Sequence, residues 1–496
     1  MPDHPVHPAS YRDPSGFVFQ SGSLYYRQVN KSYASDYEEL LRSGLYEVLT
    51  QKGLLLPHTE IGENLTGSPE WYKTLLPRQV PFISYPSEWS PAQLKDAALL
   101  TLRMLAIAME HGMIIKDATP SNIQFIEGKP VFIDTLSFEK YDAILPWVAY
   151  RQFCECMLFP LYLHHYLSTG THWIMSAWPE GIPAEITARL LPLKSRLRLG
   201  VWLHVWLQSR VQRVQSTRDA RAGGGRSRGE LDDAGRGLSG ERPPAFSKEK
   251  LIHLVNNLRS IVSRLKTDDG RLSVWNNYYE STISSRSYLE AKEKLFREFI
   301  GDLEFGSALD LGANDGYFSR ILAEALAEKA RAVLAVDGDW QCINRLYESN
   351  ISRAGSSTPE RAAANILPLY IDIANPTPAT GLSNAERASF SVRAPSDLVA
   401  ALALVHHLVF GKNIPLSKIA ASFSELSRVY LVIEFIPLTD EKVRELIRNR
   451  KNFHSPYDAA AFEAAFAPCF TIEKQAIVPG TERILYLMKK KSRQHE

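Results

Sequence analysis

Ala308-Leu309-Asp310-Leu311-Gly312-Ala313-Asn314-Asp315-Gly316-Tyr317-Phe318-Ser319 is the stretch on which the reading of this chain turns. Ser307 to Leu311 predicts a short buried strand, Gly312 to Gly316 a tight turn, and Tyr317 onward, through Arg320-Ile321-Leu322, a helix. Glycines after a strand let the backbone pass close to a ligand, and the helix N-terminus beyond them offers unpaired N–H groups. The dinucleotide fingerprint has the same strand–turn–helix plan, with a pyrophosphate over its glycines. Here the order is Asp-x-Gly-x-x-x-Gly with the acid on the strand itself, a poor arrangement for a phosphate. A Gly-rich turn that binds nothing would look the same locally, so the neighbouring segments have to separate the two readings.

Downstream, Ala332-Val333-Leu334-Ala335-Val336-Asp337 is a continuous apolar run ending in an acid, the pattern of a parallel strand buried on both faces. An acid at the end of a second strand, about twenty residues past the glycines, is placed to accept from both hydroxyls of a ribose. Ile366-Leu367-Pro368-Leu369-Tyr370-Ile371-Asp372-Ile373 repeats the pattern. A fourth strand and its loop are expected in Ser396 to Leu408, and a fifth strand in Tyr430-Leu431-Val432-Ile433-Glu434-Phe435. This ordered set resembles class I S-adenosylmethionine-dependent methyltransferases, over roughly Leu303 to Met488. The resemblance implies a Rossmann-like α/β domain whose glycine turn faces the methionine part of S-adenosyl-L-methionine. By that likeness Asp310, Gly312, Asn314, Gly316, Phe318, Asp337, Asp372 and Ile373 bind the cofactor, with Asp337 on the ribose and Asp372 at the adenine amino group. Asn314 departs from the family's commonest form, where a third glycine often sits; Asn tolerates the left-handed backbone well.

The chain has 496 residues, enough for two or three domains, with 45% hydrophobic and 23% charged residues, ordinary values for a soluble globular protein. Its formal net charge of +2 argues neither for nor against nucleic acid. The polar, proline-broken start, Met1 to Pro8, does not read as a signal peptide. No apolar run approaches the roughly 18 residues of a membrane span; Leu197 to Leu207 comes nearest and is interrupted by Arg198 and His204. Four cysteines without C-x-x-C spacing predict neither a disulfide framework nor a zinc site, and Cys154 and Cys156 read as buried thiols. A cytoplasmic protein is expected.

The first half predicts a β-hairpin over Gly16 to Val29, a helix from Tyr37 to about Gln51 stopped by Gly53, and a less regular stretch with two Trp-containing prolyl segments. A helix capped by Ser90 follows, from Pro91 through Glu110. Next comes His111-Gly112-Met113-Ile114-Ile115-Lys116-Asp117-Ala118-Thr119-Pro120-Ser121-Asn122-Ile123-Gln124-Phe125, then Val131-Phe132-Ile133-Asp134. Over about Ser90 to Cys156 this resembles the catalytic loop of protein kinases and aminoglycoside-type phosphotransferases. The resemblance implies an α+β kinase-like domain over residues 1–207. In it Asp117 would be a phosphotransfer base, and Asn122 and Asp134 would hold Mg²⁺ under ATP. Lys116 replaces the usual Arg, Thr135-Leu136 replaces Phe-Gly, and the hairpin lacks a G-x-G-x-x-G loop. Arg27 and Lys31 are the only candidates for the phosphate-pairing lysine, with Glu38 or Glu39 as partner. A pseudokinase that positions the substrate is the intermediate reading, and local side-chain-to-backbone bonds of Asp117 and Asn122 the plain one. From Trp147 to Leu207 the many aromatic residues read as helical core rather than a membrane surface.

Residues 208–250 are Gly- and Arg-rich and predict a flexible linker; without interleaved aromatics its arginines read as a solvated tether rather than an RNA site. Residues 251–302 are expected to form a helical pre-fold or lid segment, with helices over Leu251 to Leu265 and Ser287 to Ile300. Tyr278 and Tyr279 either line the pocket or simply pack. Residues 303–496 are, by the resemblance, expected to form the methyltransferase domain. Methyl transfer from a sulfonium is an in-line displacement, so alignment dominates, with a base for a hydroxyl nucleophile. His406 and His407, after the fourth strand, are candidate general bases, one facing the pocket and the other packing; Glu434 is a second polar candidate at the pocket rim. Their loop is not Asn/Asp-Pro-Pro-Tyr/Phe, the form typical of methylation at exocyclic base amino groups or glutamine. The expected acceptor is therefore a small molecule or glycan, methylated at oxygen or carbon, rather than nucleic acid. A bifunctional kinase–methyltransferase and a non-catalytic scaffold of two degenerate nucleotide folds are the alternatives.

Overall fold

A computed structural model describes residues 6–142, 145–210, 247–268, 286–326, 332–353, 365–448, 453 and 456–492. Contacts divide the chain into one unit of residues 1–80, 84–125 and 130–269 and another of residues 81–83, 126–129 and 270–496.

In the first unit, alternating apolar residues around Ser21-Gly22-Ser23 form the expected hairpin of β1 (Gly16–Ser21) and β2 (Leu24–Asn30). The helix expected over Tyr37 to Gln51 is broken into α1 (Ala34–Arg42) and α2 (Leu45–Gln51), because Gly44 at φ 75° takes a left-handed conformation between them. The first prolyl segment is not irregular: Trp71–Pro77 is a strand, β4, which joins β3 (His58–Ile61) and the hairpin in a sheet of order β1-β2-β4-β3. Pro77 sits at the end of that strand, where a missing N–H is tolerated. Helix α3 (Pro91–Glu110) has the expected start: Ser90 Oγ accepts from Gln93 N, and Gln93 Oε1 accepts from Ser90 N. It leads into β5 (Met113–Ile115), the hairpin β6 (Ile123–Ile126) and β7 (Lys129–Phe132), and β8 (Phe138–Lys140), which pairs antiparallel with β5.

Short helices α4 (Tyr150–Phe153), α5 (Phe159–Leu167), α6 (His172–Ala177), α7 (Ala184–Leu190) and α8 (Leu199–Val201) follow; the last continues as a π-helical stretch, Trp202–Leu207. Cys154 and Cys156 are free, buried thiols. The aromatic run is only partly core: Phe153, Phe159 and Tyr162 are buried, whereas Trp173 and Trp202 are exposed. Helix α9 (Lys248–Arg264), expected in the pre-fold segment, belongs to the first unit, where it packs on α3 and Lys95 Nζ donates to Leu265 O at 2.7 Å. The bulk of the expected linker, residues 211–246, and Tyr278 and Tyr279 lie outside the described residues.

The second unit begins with α10 (Arg286–Ile300) and then alternates strand and helix: β9 (Ala308–Leu311), α11 (Tyr317–Ala325), β10 (Val333–Asp337), α12 (Trp340–Arg353) and β11 (Ile366–Tyr370). After a short helix, α13 (Phe390–Arg393), come β12 (Ser396–Ala401), α14 (Leu416–Leu426), β13 (Ser427–Phe435), α15 (Glu441–Ile447), α16 (Ala459–Phe466), β14 (Phe470–Ile477) and β15 (Ile484–Lys490). The sheet order is β11-β10-β9-β12-β13-β15-β14, parallel from β11 through β13, with β15 antiparallel to both β13 and β14. Strands β9 and β12 are almost wholly buried, as their unbroken apolar runs require. Edge strand β14 is mostly exposed and carries Glu473 and Lys474, charges that discourage edge-to-edge pairing. Chain order reverses between β9 and β12. In open α/β sheets ligands bind at that switch point, beyond the carboxyl ends of the strands.

Candidate functional site

The glycine turn lies at the switch point. Gly312 N and Ala313 N both donate to Val336 O, at 2.8 and 3.0 Å, which laces the turn to β10. Asn314 adopts φ 51°, the left-handed conformation its residue type tolerates. Gly316 at φ 80° is required twice over: a Cβ there would meet Leu346 Cδ1 at 2.4 Å, so α11 packs against α12 only with glycine at its start. Beyond the turn lies a cavity of about 240 Å³ lined by Gly312, Asn314, Asp337, Asp372, Ile373, Ala403, His407 and Lys412, among others.

Asp337 accepts from Asn314 N at 2.9 Å and from Asp339 N at 2.8 Å, and burial pushes its carboxyl up to about 6. Asp310 lies behind the turn and does not line the cavity; it is 2% exposed and accepts from Ser319 Oγ at 2.6 Å. Burial, with the Asp337 charge adding, raises it also to about 6. Phe318 is core, edge-on to Phe296 at 5.2 Å. Asp372 lines the cavity, but its Oδ2 is paired with Lys412 Nζ at 2.7 Å. Sequence reasoning passed over Lys412, which carries no motif.

His407 lines the cavity, and burial lowers its imidazole to about 4. His406 packs beneath it, fully buried, with ring centroids 3.9 Å apart. Neither His406 nitrogen has a hydrogen-bond partner among the described residues, and burial pushes the ring well below its ordinary value, the His407, Arg483 and Lys292 charges adding to the shift.

Glu434 does not stand at the pocket rim: it is fully buried. Its Oε1 accepts from Tyr288 OH at 3.0 Å, and its Oε2 accepts from Lys292 Nζ at 2.6 Å and from Ala403 N at 2.8 Å. Lys292 and Arg483 beside it hold the carboxyl below the usual range against the opposing effect of burial. Ala403, at φ 51°, is a non-glycine residue in the left-handed region, and it lines the cavity. Such a conformation persists only where its surroundings over-determine it; here the Glu434 carboxylate does so. Arg483 extends the network, donating to Tyr288 OH at 2.7 Å and gripping Asp440 through Nε and Nη2. Tyr288, Asp440 and Arg483 also line a second cleft of about 390 Å³.

In the first unit Asp117, Asn122 and Asp134 come together, and each is engaged by neighbouring protein groups. Asp117 Oδ1 accepts from Thr119 N at 3.1 Å, a local turn, and burial raises its carboxyl. Ser137 Oγ donates to Asp134 Oδ2 at 2.5 Å and accepts from Asn122 Nδ2 at 3.1 Å. Asp134 Oδ1 accepts from Leu136 N and pairs with Arg27 Nη2 at 2.7 Å. A guanidinium therefore meets the carboxylate that the kinase likeness assigns to Mg²⁺. The expected pairing of Arg27 or Lys31 with Glu38 or Glu39 is not formed. Lys31 Nζ donates to Pro69 O, Glu38 accepts from Tyr72 OH, and Glu39 pairs with Arg42. Local geometry explains the difference: Arg27 on β2 is taken by Asp134 in the loop after β7 and by Asp13.

The second unit is thus a doubly wound, Rossmann-like α/β domain with a cavity at its switch point. The whole chain is 30% identical over 482 residues to nodulation protein NoeA of Rhizobium meliloti (strain 1021), a match covering 96% of this chain and 94% of that protein. The chain belongs to the NoeA family. No protein-family model matches it. Among solved structures it is similar to the PH0226 protein from Pyrococcus horikoshii OT3 (17% identity, 44% of this chain and 97% of that one, TM-score 0.30). It is also similar to a SAM-dependent methyltransferase from Aquifex aeolicus (17%, 42% and 94%, TM-score 0.28) and an rRNA methylase from Escherichia coli (16%, 42% and 67%, TM-score 0.28). At such TM-scores the fold assignment rests on the strand order itself.

Proposed function

We propose that this protein is an S-adenosylmethionine-dependent methyltransferase acting on oxygen or carbon of a small-molecule or carbohydrate-like acceptor, with the first unit holding substrate. The observation that carries this reading is the pair of acids at the switch point, Asp310 buried behind the glycine turn and Asp337 half-buried at the cavity wall. Asp310 and Asp337 are both raised to about 6 by burial, and a cationic ligand over the turn would relieve them. When bound, the cofactor supplies an electrophilic methyl group on a sulfonium. Asp337 would accept from ribose hydroxyls, Gly312 and Asn314 would face the methionine portion, and Asp372 with Ile373 would border the adenine end. There Lys412 must yield the Asp372 carboxylate or share it. His407, neutral at physiological pH, can take the proton of an acceptor hydroxyl.

The loop Ala403-Leu404-Val405-His406-His407 lacks the Pro-Pro-aromatic form of base N-methylation, which favours an oxygen or carbon acceptor over nucleic acid. The name of the relative refers to nodulation and carries no acceptor. The Arg27–Asp134 ion pair speaks against a phosphoryl-transferring first unit. The test is calorimetry with S-adenosylmethionine and S-adenosylhomocysteine on the full chain and on Asp337→Ala. Binding by the wild type that weakens at least tenfold in the variant is expected. A wild type that takes up neither ligand would overturn the reading.

A further inference from the structure

The helix running from Leu199 through Trp202–Leu207 is apolar on two faces. Its inner face is fixed: Val201, His204 and Val205 are buried, with His204 held between Tyr150 OH at 2.7 Å and Asn257 Oδ1 at 3.0 Å. Gly200 lies so close to α9 that a Cβ there would come within 2.8 Å of Ile261. The outer face nevertheless carries Leu199, Trp202, Leu203 and Leu207, at i, i+3, i+4 and i+8. The 3-10 turn before it adds Leu193 and Leu197, and exposure reaches 71% at Leu193, 88% at Leu197 and 74% at Leu199. A surface helix ordinarily turns polar side chains outward, and a run of exposed large apolar residues marks an interaction surface.

Charge selects the partner. Lys194 and Arg198 stand exposed between the leucines, Arg196 lies 3.6 Å over the Trp206 ring, and Arg210 ends the segment. No Asp or Glu occurs between Leu190 and Arg210, and the sequence continues through Arg213, Arg218 and Arg221 with Asp219 as the one acid among them. A bilayer with anionic headgroups satisfies both demands at once: its headgroup–acyl boundary receives Leu and Trp side chains, and its surface potential attracts Lys and Arg. Among the described residues no helix is long and apolar enough to cross a membrane, so the segment would lie on the surface. We propose that this face is a peripheral docking surface for an anionic lipid bilayer, with Leu193, Leu197, Leu199 and Trp202 entering the interface and Lys194 and Arg198 meeting lipid phosphates. The inference is independent of the cofactor cavity.

The experiment is flotation of the full-length protein with vesicles of phosphatidylcholine, alone or with about a third phosphatidylglycerol, at low and high salt. Salt-sensitive binding to the anionic vesicles is expected. Each basic residue near the surface strengthens binding about fivefold, so Lys194→Ser/Arg198→Ser should weaken it about thirtyfold. Leu197→Asp/Leu199→Asp should abolish it with the melting temperature unchanged, since both side chains are exposed. No flotation with anionic vesicles, or flotation undiminished in the Asp variant, would overturn the proposal. So would a wild-type dimer that light scattering shows to dissociate in the Asp variant, because the face would then serve a second copy of the chain.

Discussion

Ala403 lines the cavity in a strained conformation that a carboxylate 31 residues away holds in place, and this can be tested without knowing the acceptor. Glu434 has two duties: it neutralises buried Lys292, and it accepts from Ala403 N. Two double variants separate them. In Lys292→Met/Glu434→Gln the charges of that pair are gone but an amide oxygen can still accept from Ala403 N; in Lys292→Met/Glu434→Leu no acceptor remains, and Arg483 keeps Asp440 in both. Removing Glu434 alone leaves an unpaired buried ammonium and should cost about 3–5 kcal/mol. Both double variants should recover most of that, because neither leaves the Lys292 charge buried without its partner. The Leu variant should nevertheless melt below the Gln variant, because Ala403 N and Tyr288 OH lose their acceptor in it alone. Ala403 should not behave alike in them. The left-handed backbone costs about 1–3 kcal/mol, and the bond to a charged acceptor contributes about 1.5–3 kcal/mol. Loss of the acceptor is thus enough to release the residue. The assay is amide hydrogen exchange over residues 398–408, with calorimetric binding of S-adenosylhomocysteine beside it. The Leu variant should exchange at least tenfold faster at Ala403 than the Gln variant and bind at least tenfold more weakly. Adding Ala403→Gly to the Leu background should restore part of the binding, since glycine adopts positive φ without strain. Equal exchange in the two double variants would refute the role given to Glu434, whatever the ligand does.

Three further outcomes are expected. Asp310 and Asp337 have folded pKa values raised to about 6 from 3.8, so their contribution to stability is fully present below about 3.8 and lost as pH rises through about 6. A cationic cofactor reverses that loss, so its affinity should rise with pH through about 6. Binding at pH 6 should release protons, read as a buffer-dependent calorimetric heat; proton uptake would contradict the assignment. His407, lowered to about 4 from 6.5, contributes stability that is present above 6.5 and lost as pH falls toward 4, about 3 kcal/mol in all. His407→Ala should abolish that slope in thermal melts and lower turnover with cofactor affinity nearly unchanged, whereas His406→Leu should keep turnover and, by removing unpartnered buried nitrogens, hold stability or raise it by about 1 kcal/mol. Mg-ATP should give no calorimetric heat with the wild type, because Arg27 already pairs with Asp134; binding that disappears in Asp134→Ala would return the bifunctional reading.

How much of this the sequence exposed depended on the range of the interactions involved. The strands β9 to β13 were legible because burial on both faces writes an unbroken apolar run into each, and the turn was legible because positive φ at Gly312, Asn314 and Gly316 restricts residue type locally. The break at Gly44 and the strand Trp71–Pro77 were misread because a single glycine and two prolines are ambiguous punctuation without their partners in the sheet. Tyr288, Lys292 and Arg483 left no local signal at all. They meet at Glu434 or one bond from it across separations of 142 to 195 residues, and nothing in a charged residue's flanks says that it will be buried. Glu434 was picked out because it ends an apolar strand, and from that position the pocket rim was the natural inference. What reversed it was α10, whose Lys292 reaches the same carboxylate from the residues before the Rossmann-like fold begins. The cavity's shape at Ala403 therefore depends on a helix outside the strand-and-turn motif, and a second unit cut to start at β9 would keep every cofactor motif while losing the pair that holds that loop.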